Sequence, residues 1–332
     1  MTTAPVPGAR ASGAVTLRSW QRWLIDHPLV PLLMLLVLLI GALWTIQPDL
    51  RNTTWAAGIV RFAVPLAILA ACQTLTMLTG GIDLSVAAVA SMAAYIMATQ
   101  TPAQGPVVAI LLALAATAAA GLVNGIGIGV FRVHPLIMTL GMSLVVLGLM
   151  TVYQLKMVTS GSVISEGVAW LGGGTSFGFF SNSLIVFVPL AAVVLFSLRR
   201  VGFGRLLYAV GDNEVAARLA GVRVWQVLLT LYVISGLLAG VAGIVYAAVT
   251  KTASVALVER FLLPSVAAAV IGGTSIFGGR GGYSGTIVGA LILTVLTSLL
   301  TVLQMPEPVR QILFGAIILA VAAAYTRITD ES

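Results

Sequence analysis

Apolar runs of membrane-spanning length recur from residue 28 to residue 325, separated only by short polar or glycine-bearing breaks. About 20 such residues in a helix match the roughly 30 Å hydrocarbon thickness of a bilayer. Within lipid every backbone polar group must bond inside the protein, which restricts spanning segments to helices or closed barrels. The pattern therefore predicts an all-α fold, a polytopic transmembrane bundle of about ten spans. We place them at 28–46, 56–78, 83–99, 106–130, 136–155, 183–199, 226–249, 263–277, 284–303 and 309–325. The run at 263–277 is short and bounded by glycines, so a broken helix is the other reading there. Only 8% of the 332 residues are charged and 59% are hydrophobic, which excludes an ordinary soluble domain.

The net charge of +7 and isoelectric point of 10.1 do not point to nucleic acid, because the basic residues sit in short loops between spans. Ten spans put both termini on one side. With the N-terminus inside, inner loops and tails hold eleven arginines: Arg10, Arg18, Arg22, Arg132, Arg199, Arg200, Arg205, Arg218, Arg223, Arg280 and Arg327. The outer side is left with Arg51, Arg61, Lys156, Lys251, Arg260 and Arg310. This excess makes both termini cytoplasmic. Residues 1–27 then form a cytoplasmic or interfacial segment, 28–325 the membrane domain, and 326–332 a cytoplasmic tail. In the first segment, Leu17, Trp20, Trp23 and Leu24 share one helical face opposite Arg18 and Arg22, as in a helix lying in the interface or a plain flanking anchor. The single cysteine, Cys72, excludes an internal disulfide. The long outer segment at 156–182 reads as a cover for a pathway mouth or as a passive connector.

Two glycine pairs interrupt the apolar pattern at corresponding places. Gly80-Gly81 follows the second span, and Gly272-Gly273 ends the eighth, both at the inner end of a span running inwards. Paired interruptions of this kind mark binding or hinge regions in transporters built from repeats. At the start of the third span lies Asp83, an acidic residue closely flanked by membrane-length apolar sequence. An ionisable group at depth is a functional candidate, for gating or for proton coupling. Its place just before an apolar run also suits an N-cap. Gly121, Gly125 and Gly129 recur every four residues and predict close helix packing, as do Gly236 with Gly240 and Gly285 with Gly289. Gln73, Thr76, Asn124 and Thr294 are candidates for a polar solute pathway, or for bonds between helices. Thr74, Tyr153 and Thr297 share that chemistry. The Gly278–Gly282 stretch reads as a tight inner turn, with anion binding as the other possibility.

No nucleotide-binding loop of the form G-x-x-x-x-G-K-[ST] is present, and His27 and His134 belong to no H-E-x-x-H metal motif. The chain is accordingly expected to be no enzyme, to bind no metal and to hold no cofactor of its own. The densest polar stretch, 200–225, carries Arg200, Arg205, Arg218 and Arg223 just after Arg199. Within it, 213–221 predicts a short helix, capped by Asp212 or Asn213, begun by Glu214 and ended by Gly221. Its Ala216 and Ala217 give a small surface on which another protein could close.

Here the chain resembles the permease subunit of bacterial ABC importers of the ribose/xylose/galactose type. Glu214, Ala216, Ala217 and Gly221 match that family's inner coupling loop. Residues 78–85, 135–141 and 271–281 match its other landmarks, so the resemblance spans roughly 55–325. One departure is at 262–267, where Leu262-Leu263-Pro264-Ser265-Val266-Ala267 replaces a stretch that carries two acids in the family. The resemblance implies an inner-membrane pore half for a small hydroxylated solute, most simply a monosaccharide. It implies a second permease chain (identical or a related paralogue), a cytoplasmic ATPase dimer that holds ATP and Mg, and a periplasmic sugar-binding protein. It assigns ATPase coupling to Gly211, Asn213, Glu214, Ala216, Ala217 and Gly221, and hinge or gate roles to Gly80, Gly81, Asp83, Gly272 and Gly273. The rival reading is a proton-coupled secondary transporter or channel that uses Asp83.

Overall fold

The computed structural model describes residues 29–158 and 161–330. The interfacial stretch expected at 17–24 lies outside them. In chain order the helices are α1 (Leu29–Ile46), α2 (Thr53–Met77), α3 (Val86–Gly129), α4 (Pro135–Met157), α5 (Glu166–Gly173), α6 (Ser183–Arg200), α7 (Gly202–Asp212), α8 (Glu214–Leu219), α9 (Val224–Thr250), α10 (Leu262–Ile271), α11 (Tyr283–Val302) and α12 (Glu307–Asp330). A two-stranded antiparallel ribbon, β1 (Thr175–Ser176) and β2 (Phe180–Ser181), lies between α5 and α6, pairing Thr175 with Ser181 and Ser176 with Phe180. Among the described residues, seven helices are long and apolar enough to cross a membrane.

Two of the expected spans run together in α3. Its 44 residues would reach about 66 Å at 1.5 Å each, twice the thickness of a bilayer. Gly105 resolves the mismatch: at φ 77° and ψ 162° it leaves the helical region between Pro102 and Pro106. The halves then run in opposite directions along α9. Ala90, in the first half, meets Gly243, while in the second half Gly121, Gly125 and Gly129 meet the backbone at Tyr232, Leu229 and Trp225 in turn. That descending register is antiparallel. A Cβ at Gly125 would lie 2.8 Å from the Leu229 Cα, so glycine is what lets these backbones touch. Gly236 meets the Thr117 carbonyl from the other side of the same seam.

The centre of the bundle is α9 with α2 and α3. Their contact surface is largely alanine, glycine and small hydroxyl residues, with Tyr232 and Tyr246 as the large buried groups. In lipid, where burial of apolar side chains gives little driving force, tight packing of small residues holds helices together. By contrast, α1 buries only Leu43, as befits a peripheral lipid-facing helix.

The eighth expected span is a ten-residue helix, α10, followed by a loop. Ten residues cover about 15 Å, half a bilayer. Pro264 stands in its first turn, and the glycines that follow end it early. It is the broken helix, and it packs antiparallel on α11, where Gly285 meets the Gly272 carbonyl and Gly289 the Ala268 carbonyl.

Candidate functional site

The two glycine pairs close their helices in the same way, one residue out of step with the sequence echo. After α2, the N–H of Gly80 bonds to the Met77 carbonyl (2.9 Å) and that of Gly81 to the Thr76 carbonyl (3.1 Å). After α10, the N–H of Gly273 bonds to the Val270 carbonyl (3.0 Å) and that of Thr274 to the Ala269 carbonyl (2.9 Å). This paired 5→2 and 6→1 pattern is the Schellman closure, and it needs a left-handed residue just past the helix. Gly80 (φ 77°) and Gly273 (φ 88°) fill that place, so Gly80 corresponds to Gly273 rather than to Gly272. Gly272 has a different reason to be glycine: a Cβ there would run into the Thr286 backbone.

Asp83 is buried and does not cap α3. The capping position belongs to Ser85, whose own side chain caps nothing. The Asp83 carboxyl instead makes a turn ahead of the helix. Its Oδ1 accepts from the Ser85 N–H (3.0 Å) and the Ser85 hydroxyl (2.6 Å), and its Oδ2 accepts from the Ser235 hydroxyl on α9 (2.9 Å). Asn124, from the second half of α3, donates to the Ser85 Oγ at 2.9 Å. Gln73 of α2 holds the Asp83 backbone, donating to its carbonyl at 2.8 Å and accepting from its N–H at 3.4 Å. Thr139 of α4 accepts from the Leu84 N–H at 3.0 Å. The loop at 82–85 is thus stapled to four helices. The space beside Asp83 and Asn124 is too tight to hold a water molecule.

Of the four candidate pathway residues, Gln73, Thr76 and Asn124 are fully buried. Thr76 donates within its own helix, to the Cys72 and Gln73 carbonyls. Thr294 lies midway along α11, on the wall of a cavity.

The short polar helix forms as α8, two residues shorter at its C-terminal end than expected. Asn213 is the N-cap, its Oδ1 accepting from the Ala216 N–H at 2.9 Å. Gly221 (φ 87°) takes the left-handed place after the helix, with Val222 N–H bonding to the Ala217 carbonyl and Gly221 N–H to the Arg218 carbonyl. Glu214 accepts from Arg132, of the α3–α4 loop, at 2.5 Å, and from Arg218 one turn on. Burial alone would raise the Glu214 carboxyl. The hydrogen bonds from Arg218 and Arg132 outweigh it and hold the group below the usual carboxylate range.

Ala217 faces the protein and is buried, whereas Val215 and Leu219 stand 68% and 85% exposed. Spaced four apart, they share one outward face of α8. This exposed apolar pair was missed in the sequence, although two large apolar residues four apart on a short polar helix are visible there. Arg132 was missed too, read only as a marker of sidedness.

Gly211 joins α8 to the two glycine loops. A Cβ at Gly211 would overlap the Leu78 carbonyl and lie 2.7 Å from the Gly279 nitrogen. A Cβ at Gly278 would lie 2.7 Å from the Gly211 carbonyl oxygen and 3.1 Å from the Gly80 nitrogen, and one at Gly279 would lie 3.1 Å from the Asp212 Cα. Gly279 donates its N–H to the Leu78 carbonyl at 3.0 Å, and Tyr208 of α7 donates its hydroxyl to the Gly281 carbonyl at 2.9 Å. Three chain segments, 78–81, 208–212 and 274–281, therefore meet backbone to backbone at the base of α8. The Gly278–Gly282 stretch is a turn whose Gly279 and Arg280 N–H groups are already bonded within the protein, which leaves those two amides no capacity to hold an anion.

Residues 55–322 match the family model described as "Branched-chain amino acid transport system / permease component". The chain is 32% identical to the ribose import permease protein RbsC of Escherichia coli (strain K12), over 96% of this chain and 97% of that protein. It is 32% identical to the fructose import permease protein FrcC of Rhizobium meliloti, over 92% of this chain and 88% of that protein. It is 33% identical to the galactofuranose transporter permease protein YtfT of Escherichia coli (strain K12), over 90% and 89%. No solved structure matches the chain.

Proposed function

Because this chain belongs to the permease-component family of branched-chain amino acid transport systems, a family of ABC importers, we propose that it is the membrane subunit of an importer for a monosaccharide. The sugar is supported by the names of relatives that match along nearly the whole chain, which are ribose, fructose and galactofuranose permeases. The seating of Gly211 between Leu78 and Gly279 is the observation that carries the mechanism.

In this reading the chain crosses the bacterial inner membrane about ten times, α3 contributing two crossings. Both ends lie on the cytoplasmic side with α8. A cytoplasmic ATPase dimer, which holds the ATP and Mg, closes on α8, with Val215 and Leu219 as the side chains it grips and Ala216 leaving room for its groove. Gly221 lies beside open space and ends the helix where a larger residue would foul the partner. Arg132 and Arg218 hold Glu214, so α8 and the α3–α4 loop move together. The close backbone seating of Gly211 on both loops means that α8 cannot shift without pushing Leu78 and Gly279. The rigidly stapled loop at 82–85 then pivots on Gly80, and its counterpart pivots on Gly273. That motion alternates the pathway between its two open faces. A second permease chain, identical or related, supplies the other half of the pore, and a periplasmic binding protein delivers the sugar.

The test is reconstitution with the ATPase and binding protein. Sugar-loaded binding protein is expected to speed ATP hydrolysis by the assembly, and Glu214→Arg or Gly221→Trp to abolish that response. Stimulation that survives in both variants would remove α8 as the docking helix.

A further inference from the structure

At the end of the bundle opposite α8, the walls of α2, α9, α10, α11 and α12 enclose a cavity of about 540 Å³. Ligand pockets run from about 300 to 1,000 Å³, so a monosaccharide fits with space for water. Counted from the glycine loops, α2 and α11 reach the inner wall of this cavity (Leu66, Leu293, Thr294) after about 15–17 Å and its outer rim (Trp55, Thr301) after about 27–33 Å. It therefore opens on the face from which an importer takes its solute.

One wall is a stripe of hydroxyls along α11: Thr294, Thr297, Ser298 and Thr301, spaced i, i+3, i+4 and i+7 on a single face. Thr301 is exposed and Thr294 buried, so the cavity narrows inwards towards Thr294. Thr294, Thr297 and Thr301 each donate their proton to the carbonyl four residues back, at 2.8, 2.7 and 2.7 Å. What they leave for a ligand is a row of acceptor lone pairs. Trp55 Nε1 donates to the Ser298 Oγ at 3.3 Å, which leaves the Ser298 proton available.

The facing wall is aromatic, with Trp55, Phe62, Tyr246 and Phe261. At its rim stands Arg260, whose guanidinium lies 5.3 Å from the Tyr246 ring centre and also donates to the Tyr246 hydroxyl. Arg260 supplies donors with no carboxylate partner among the described residues, and Glu307, 3.8 Å from Arg310, adds an acceptor.

We propose that this cavity is a subsite for the monosaccharide on its way into the membrane, with the α11 hydroxyls accepting hydrogen bonds from the sugar and the aromatic wall packing on its C–H face. The proposal rests on the sugar-importer reading and gives it a place in the chain. A ligand for this site must bring several hydrogen-bond donors together with an apolar face. Sugars do both. A phospholipid offers phosphate acceptors and chains, which would suit the arginines but leave the row of threonine oxygens without donors.

The test uses the complete assembly of permease, ATPase and binding protein in liposomes, with radiolabelled D-ribose, D-fructose and D-galactose each tried in turn. Thr294→Val with Thr297→Val keeps side-chain volume and removes two acceptors. Each lost hydrogen bond weakens an interaction by about 2- to 10-fold. Uptake of the transported sugar at limiting concentration is expected to fall by about tenfold, while the chain still co-purifies with its ATPase. The Thr294→Ser, Thr297→Ser pair keeps both oxygens and is expected to restore uptake. Uptake unchanged in the valine pair overturns the subsite while leaving the importer reading standing. A wild-type assembly that moves none of the three sugars overturns both. Phospholipid that co-purifies with the wild type and is lost in Arg260→Gln, with the valine pair still transporting normally, identifies the cavity as a lipid site and overturns the proposal.

Discussion

Gly279 donates its backbone N–H to the carbonyl of Leu78 at 3.0 Å, joining two loops that lie about two hundred residues apart in the chain. Gly211 packs on that hydrogen bond with no room for a side chain. The base of α8 is thus held against the ends of α2 and α10 by backbone alone, and backbone contacts transmit displacement more stiffly than side chains free to change rotamer.

Gly211→Ala is expected to be severe for so small a change. The added methyl must push Leu78 or Gly279 aside, and overpacking of this kind costs about 1–3 kcal/mol. Uptake should fall at least tenfold, and ATP hydrolysis by the assembly should lose its dependence on loaded binding protein. Parallel measurement of uptake and hydrolysis checks this; full coupling in the alanine variant would refute the backbone seating as the transmission route.

The Glu214 contacts carry a pH signature. Its carboxyl is held below its ordinary value of about 4.3. A lowered folded-state value means that the stabilisation is complete above the unfolded pKa and is lost as pH falls through the folded one. The α8 amides, followed by hydrogen exchange corrected for its intrinsic pH dependence, should keep their protection down to the ordinary carboxylate range and lose it below. The group is partly exposed, so the loss should be at most about 1 kcal/mol. Glu214→Gln should flatten the profile.

Asp83→Asn separates a structural carboxyl from a proton carrier. Asparagine keeps one acceptor and turns an NH₂ towards hydroxyls that now donate to Asp83. Leaving a buried hydroxyl donor without its acceptor costs about 1–3 kcal/mol, so the melting temperature should drop. Residual uptake should still require ATP and ignore a protonophore. Uptake that collapses with the proton gradient and survives ATP depletion would instead favour a proton-coupled transporter.

Gly125→Leu should prevent assembly of the bundle altogether. Even a Cβ there sits 2.8 Å from the Leu229 Cα, and the seam between α3 and α9 has glycines at three successive turns. Expression with a fluorescent fusion and size-exclusion chromatography is the measure, with Gly148→Leu, at a position facing open space, as the control expected to remain monodisperse.

Much of this protein is written in residues near one another in the chain. The apolar runs dictate membrane helices because a bilayer has one thickness and offers backbone no partners. The α8 helix is legible from Asn213, Glu214 and Gly221 because capping is settled within a turn of the chain. The glycine seam of α3 is legible because a four-residue spacing always lines one face. Other features depend on what is brought alongside from elsewhere. Asp83 looked like a cap, and only packing shows its carboxyl turned to Ser85 and Ser235. The runs at 83–99 and 106–130 announced two segments, and the structure adds that the turn between them is made at Gly105. Gly80 and Gly273 correspond because helix closure sets that register, not because of the letters beside them. Gln73 and Asn124 proved to be staples within the fold, whereas Thr294 lines a cavity, although all three are polar residues in apolar runs. The membrane class, most of the helices and the caps of α8 follow from the sequence alone, since those energies are set over a few residues. The meeting of Leu78, Gly211 and Gly279, and the cavity at the opposite end, were decided only by the tertiary structure, since each joins segments whose distance in space no local rule specifies.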